Sequence, residues 1–246
     1  MIDLNLRKFY PLGVLLKSVL VLLICFSICF SFLGGIYSES MAVLSMSGIP
    51  ESKTIIIDAG HGGEDSGAVG VNGVLEKDLN LSISFILGEL FANQGYTVIF
   101  TRTEDKLLYT PEQNIKGMRK VYDLKNRCIV ANENPDAILV SIHMNSFPDE
   151  KYSGLQVYYS KSDGSYALAD SIQRSVANDI QPTNNRKIKN GDDLYILKNT
   201  SNIGVLIECG FLTNIEECKK LSEKEYQKQL SFSIFCGIIN NNENKS

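Results

Sequence analysis

The sequence predicts a single α/β domain with a mostly parallel, twisted sheet flanked by helices, preceded by an N-terminal hydrophobic export or anchor segment. Two observations carry this. From residue 51 onward, short β-branched runs alternate with stretches whose apolar residues recur at helical spacing, the pattern of strands joined through helices. Before that point the character differs: Arg7, Lys8 and Lys17 precede Val19 to Leu33, a run of aliphatic and Phe residues broken only by Ser27, Ser31 and two cysteines. Residues 1–50 therefore read as a signal peptide or N-terminal membrane anchor plus a short linker, and 51–246 as the catalytic domain. Basic residues crowd only the N-terminal side of the apolar run, which argues against a buried core helix. The run lies between the length of a signal-peptide core and that of a spanning helix, so both cleavage and retention stay open.

Along the domain, Thr54 to Asp58 forms a first strand. Glu76 to Phe91 forms a helix, with Leu79, Ile83, Ile86, Leu87 and Leu90 on one side and Asn93-Gln94-Gly95 ending it. Tyr96 to Thr101 is a second strand, Asp123 to Asn132 a helix, Ala137 to Met144 a third strand and Leu155 to Ser160 a fourth. A helix over Ser165 to Ile180 follows, then a polar exposed loop from Gln181 to Asp193 near the active face. Tyr195 to Lys198 and Val205 to Cys209 complete the strands. One helix, Glu223 to Ile239, closes the domain, and the tail NNNENKS frays.

Composition narrows the function. With 246 residues, 44% hydrophobic and 21% charged, the chain supports one ordinary core plus an extension. A net charge of -4 leaves no basic stripe with interleaved aromatics, so nucleic acid is not the expected partner. Six scattered cysteines (Cys25, Cys29, Cys128, Cys209, Cys218, Cys236) include no CxxC pair and read as small apolar fillers rather than a disulfide framework. Glycines after the first strand lack the GxGxxG order and no Walker lysine follows, which weakens a nucleotide-binding reading.

The chain holds two histidines, His61 and His143, each where an apolar run meets a turn: TIIIDAGHGG and AILVSIHMNS. Neutral imidazoles on neighbouring strand ends can hold one zinc ion, and a carboxylate is a common third protein ligand in an open, catalytic site. Glu76 fits, because a glycine-rich loop lets the chain double back before its helix, and an acid in a first helical turn is favoured by the helix dipole. In open α/β sheets ligands collect beyond the carboxyl ends of the strands, where His61, His143 and Glu208 all fall. Glu208, in GVLIECGFLTN, follows four apolar residues. A buried lone carboxylate is costly, so it needs a partner. It is either a general base and acid over a zinc-bound water or a strand-end residue paired with Arg127. Arg127 itself faces either substrate carboxylates or the packed underside of its helix. Asn145 either hydrogen-bonds a substrate carbonyl or caps the backbone, and Asp58 either orients a ligating imidazole from behind or closes a turn. Cys209 should point to the opposite strand face from Glu208, which removes it as a nucleophile.

The segments IIIDAGHGGEDSGAVG, LEKDLNL, VIFTRTED, NRCIVAN, ILVSIHMNS and LIECGFLTN together resemble the zinc-dependent N-acetylmuramoyl-L-alanine amidases of bacterial cell-wall turnover, over about residues 53 to 240. The resemblance implies Zn2+ held by His61, Glu76 and His143, Glu208 as the catalytic glutamate, and peptidoglycan as substrate. The compact build without wall-binding repeats, the apolar N-terminus and IKNGDDLYILKNT are similar to the germination-specific, spore-cortex branch of that family. That likeness implies peptide removal from cortex muramic acid, coupling to a muramic acid deacetylase that forms muramic δ-lactam, and for some relatives a lipoprotein activator. It places the enzyme on the outer face of a bacterial membrane or in the wall, including the forespore intermembrane space, touching membrane only through the N-terminal segment. A zinc deacetylase or carboxypeptidase, a vegetative autolysin and a non-catalytic wall-binding module are the competing readings.

Overall fold

The computed structural model describes residues 54–243, and the expected export or anchor segment lies outside them. Among the described residues no helix is long and apolar enough to cross a membrane. The chain runs β1 (Thr54–Ala59), α1 (Glu76–Asn93), β2 (Thr97–Phe100), α2 (Arg119–Asn132), β3 (Ile138–Asn145) and β4 (Gln156–Tyr159). It continues with α3 (Ser165–Asp179), β5 (Lys189–Asn190), α4 (Tyr195–Lys198), β6 (Gly204–Phe211), α5 (Ile215–Ser222) and α6 (Lys224–Glu243).

The strands form one sheet in the order β2-β1-β3-β6-β4-β5. The mostly parallel sheet expected from the alternation is corrected to a mixed one, because β4 pairs antiparallel with β6 and carries β5 alongside it. The cause lies in the connection after β3. No helix separates β3 from β4, and without a crossover the chain cannot return to the start of a parallel neighbour. β1, by contrast, pairs in parallel with both β2 and β3, each reached through a helix.

Alternation along the strands divides the apolar residues between two faces. One face carries Ile55, Ile57, Val140, Ile142, Val205, Ile207 and Cys209, covered by α1, α3 and α6 through Ile83, Leu87, Ile172, Leu230 and Ile234. The other is smaller: Ile56, Leu139 and Leu206 meet Cys128 and Ala131 of α2 and Ile196 and Leu197 of α4. Each such side chain removed from water contributes about 1.5–3 kcal/mol, so the thicker layer dominates cohesion.

Three expectations change in detail. Tyr195–Lys198 is a helical turn rather than a strand, since Ile196 and Leu197 both pack inward, which a period of two cannot achieve. The single closing helix is two, α5 and α6. Asn214 caps α5 by accepting from Glu217 N, and the chain turns at Glu223. The tail expected to fray stays helical through Glu243. The Gln181 to Asp193 loop is polar as read, with only the short β5 inside it.

Candidate metal centre

The chain leaves β1 in one direction for β2 and returns across it to β3, so a crevice opens between the carboxyl ends of β1 and β3. Around it lie the groups singled out from sequence. His61 follows β1 with φ +61, a left-handed conformation that costs a non-glycine residue about 1–3 kcal/mol and persists only where surroundings enforce it. The enforcement is visible: Arg127 Nη2 donates to His61 O at 2.7 Å, while Arg102 donates from Nε to Ala59 O at 2.8 Å and from Nη2 to Gly60 O at 3.0 Å. Two buried guanidiniums thus clamp three successive carbonyls.

Glu76 opens α1 with its side chain buried. Its Oε1 stands 3.2 Å from His61 Nε2 and 3.1 Å from His143 Nδ1, and it accepts from Met144 N at 3.0 Å. Its Oε2 accepts from Ala68 N at 2.7 Å, which fixes the carboxylate plane. The two imidazole rings sit 5.0 Å apart at 75°. Tetrahedral coordination by nitrogen and oxygen at ordinary zinc distances separates neighbouring donors by about 3.3 Å, so this donor set matches the size of such a site. The three donor atoms lie within 4.8 Å of one another.

Close approach is built into the backbone. A β-carbon at Gly60 would overlap the His143 ring, and one at Gly67 would strike Glu76 Oε2. Electrostatics agree. Burial opposes charge on Glu76, yet hydrogen bonds from His143 and His61 hold its carboxyl well below the usual range. Burial likewise pushes His61 down, but Glu76 and then Asp65 override it and raise the imidazole. Asp65 Oδ2 lies 2.8 Å from His61 Nδ1 and 2.9 Å from Lys120 Nζ. With Nδ1 directed at Asp65, Nε2 is the His61 nitrogen that faces Glu76 and the crevice, where a bound cation would take the place of its proton.

Asp58 was read either as orienting an imidazole from behind or as closing a turn, and its partners in the structure are side chains from elsewhere in the chain. Its oxygens accept from Arg127 Nη1 at 2.6 Å, Thr101 Oγ1 at 2.7 Å and Ser141 Oγ at 2.6 Å, so its reach to the site runs through Arg127. Although burial would raise it, Arg127 and these donors bring the Asp58 pKa down to about 2. Arg127 also holds Asp123 at 2.8 Å, which settles it as a packed, paired residue. Asp65 is the imidazole's carboxylate that the sequence reading missed. Its signal was an acid four residues after His61, inside a loop otherwise read for its glycines.

Glu208 takes its place on β6 with His143 as one register neighbour and Gln156 of β4 as the other. Alternation puts it on the crevice face, and its Oε2 is buried with no hydrogen-bond partner among the described residues. Burial raises its pKa, with His143, Glu76, His61 and Arg186 pulling in both directions. Arg127 is committed to two aspartates, so it is not the partner of Glu208. Cys209 is fully buried in the opposite core, with its thiol pushed well above the ordinary value by burial, as its register required. Asn145 ends β3 where the pairing with β6 shifts, and its carbonyl accepts from Leu212 N at 2.9 Å.

The arrangement can hold a divalent cation on two nitrogens and one oxygen, with an unpartnered carboxylate on the same face. Residues 55–240 match the profile of the N-acetylmuramoyl-L-alanine amidases. The chain belongs to this family. It is 37% identical over 188 residues to the germination-specific N-acetylmuramoyl-L-alanine amidase of Bacillus subtilis (strain 168), covering 76% of this chain and 78% of that one. Among solved structures it resembles the CwlD amidase of Clostridioides difficile in complex with the GerS lipoprotein. That match has a TM-score of 0.74 and 41% identity, over 77% of this chain and 98% of that one. The amidase AmiC2 of Nostoc punctiforme gives a TM-score of 0.66 and 31% identity, over 76% and 95%.

Proposed function

We propose that this amidase-family protein hydrolyses the amide joining the lactyl group of N-acetylmuramic acid to L-alanine in peptidoglycan, with zinc held by His61, Glu76 and His143. The observation that carries the reading is the conjunction of three converging donors with the unpartnered Glu208 Oε2 on one strand face. Zinc in such a site supplies a Lewis acid that polarises the amide carbonyl and lowers the pKa of water. The chain's residues supply the remainder. Glu208, unpaired and raised in pKa by burial, accepts the water's proton and returns it to the departing amine. Asp65 holds the His61 tautomer that leaves Nε2 free. The arginine clamp keeps the His61 backbone in its left-handed turn. Asn145, at the rim of β3, contacts a substrate carbonyl.

The finer assignment is a spore-cortex role: peptide removal as the step before a muramic acid deacetylase forms δ-lactam, on the outer side of the membrane, with residues 1–50 exporting or anchoring the enzyme. Likeness to a germination-specific amidase and to a structure solved with a lipoprotein supports this, and supports a lipoprotein activator. Mass spectrometry of muropeptides from cortex and vegetative wall digested by the purified protein, with and without chelator, tests it. New N-terminal L-alanine on intact stems, abolished by chelator, is expected. Released acetate or D-alanine points to a deacetylase or carboxypeptidase, and binding without cleavage to a wall-binding module.

A further inference from the structure

The row of groups on the crevice face does not end at Glu208. Its register neighbour Gln156 is 3% exposed, and Gln156 Oε1 accepts from Arg186 Nη2 at 2.6 Å while Nε2 donates to Lys187 O at 2.7 Å. Arg186 is held further by stacking over the Phe211 ring, 4.7 Å from its centroid, and by its own N donating to Asn184 Oδ1 at 3.0 Å. So fixed, it is a pre-formed guanidinium one strand beyond Glu208. Its acceptor is neutral, its Nε is buried without a partner, and it makes no ion pair among the described residues.

Neither buried acid that feels its charge, Glu208 or Glu217, pairs with it directly. Glu217 accepts from Gly154 N through Oε1 at 2.8 Å and from Phe211 N through Oε2 at 2.7 Å. Arg186 borders a cavity of about 620 Å³ lined also by Lys151 and Lys220 and by the acids Glu216 and Glu217, the second of which has both oxygens taken by backbone amides. With Nε buried and Nη2 already donating to Gln156, the Nη1 end of this rigidly mounted guanidinium makes no hydrogen bond among the described residues, and that end is the donor left for a carboxylate.

Resting on the amidase reading above, we propose that Arg186, seated on Gln156 and Phe211, forms a subsite for a carboxylate of the acidic stem peptide, on the side of Glu208 away from the metal ligands. The leaving group of the reaction is that peptide, and Glu208 delivers its proton to it. An anchor immediately beyond Glu208 therefore grips the half of the substrate that departs. Arg186 is a binding and specificity residue, not a catalytic one.

The test compares L-alanyl-D-glutamate with L-alanyl-D-glutamine amide, in which both carboxyls are amides, by calorimetry, on zinc-loaded and metal-stripped protein. The full chain, R186K and R186M are each confirmed folded by thermal unfolding. The acid peptide should bind the unsubstituted chain at least about tenfold more tightly than the amidated one, a contrast that R186K reduces and R186M abolishes. It should persist without metal, which excludes capture by zinc. On muropeptides R186M should raise KM for free-acid stems with little change in kcat. Equal binding of the two peptides to the unsubstituted chain, or an undiminished contrast in R186M, overturns the subsite. Peptide discrimination without any muropeptide cleavage would refute the amidase reading while upholding the subsite.

Discussion

Glu208 and Glu76 show how position divides labour between chemically identical side chains. Glu76 has two imidazoles and two backbone amides around it and stays charged, whereas Glu208 has one oxygen buried with no partner and a raised pKa. One is suited to holding a cation and the other to exchanging a proton. Glu208→Gln should therefore keep its metal content while kcat falls by about 10²–10⁴, the usual contribution of a positioned acid-base group. Simultaneous metal analysis and turnover on purified peptidoglycan check this; retained rates would remove Glu208 from proton transfer. The residues that sequence singled out and the structure brings together are those whose chemistry is rare in the chain. Two histidines at strand ends leave few other uses, and an acid after four apolar residues demands explanation. Asp65 and Arg102 were not legible because acids and arginines are common, and their roles depend on loop closure that no spacing rule encodes. The partners of Asp58 were hidden for a related reason: its place beside the site is visible in sequence, but Arg127 comes from α2, over 60 residues away.

At the scale of elements, the site depends on how closely the β1–α1 loop can pass the end of β3. Gly60 is the point of contact, and a side chain there must displace the His143 ring. Gly60→Ala is expected to weaken zinc affinity by about 10–100-fold, the range seen when a ligand's supporting shell is disturbed, while the fold survives. Metal titration against a chelating indicator, with circular dichroism as control, measures both. Strand positions and α1 were legible because the sheet face and the helix bury separate periodic sets. The turn at Tyr195–Lys198 was not, since four residues with two apolar neighbours satisfy either period. The antiparallel β4 was equally hidden, because direction is decided by the connection after β3 rather than by the strand's own residues.

For the whole molecule, the thicker core supplies most of the cohesion on one face, and the site sits at the carboxyl-end edge of the central strands. The buried Asp58–Arg127–Asp123 group ties β1 to α2 beneath that edge. Asp58 is depressed from 3.8 to about 2, so its contribution is fully present above the unfolded value and is lost as pH falls through the folded one. At about 1.4 kcal/mol per pH unit this amounts to about 2 kcal/mol, and denaturant unfolding between pH 4 and pH 2 should show a loss of that order, largely absent in Asp58→Asn. The account as a whole rests on a cation at His61, Glu76 and His143, and the most direct measurement restores zinc to metal-stripped protein while N-terminal L-alanine released from purified peptidoglycan is counted. Release should start near zero and rise in proportion to zinc, reaching its plateau at one ion per chain. Stem peptides released at the full rate by the stripped protein would contradict it.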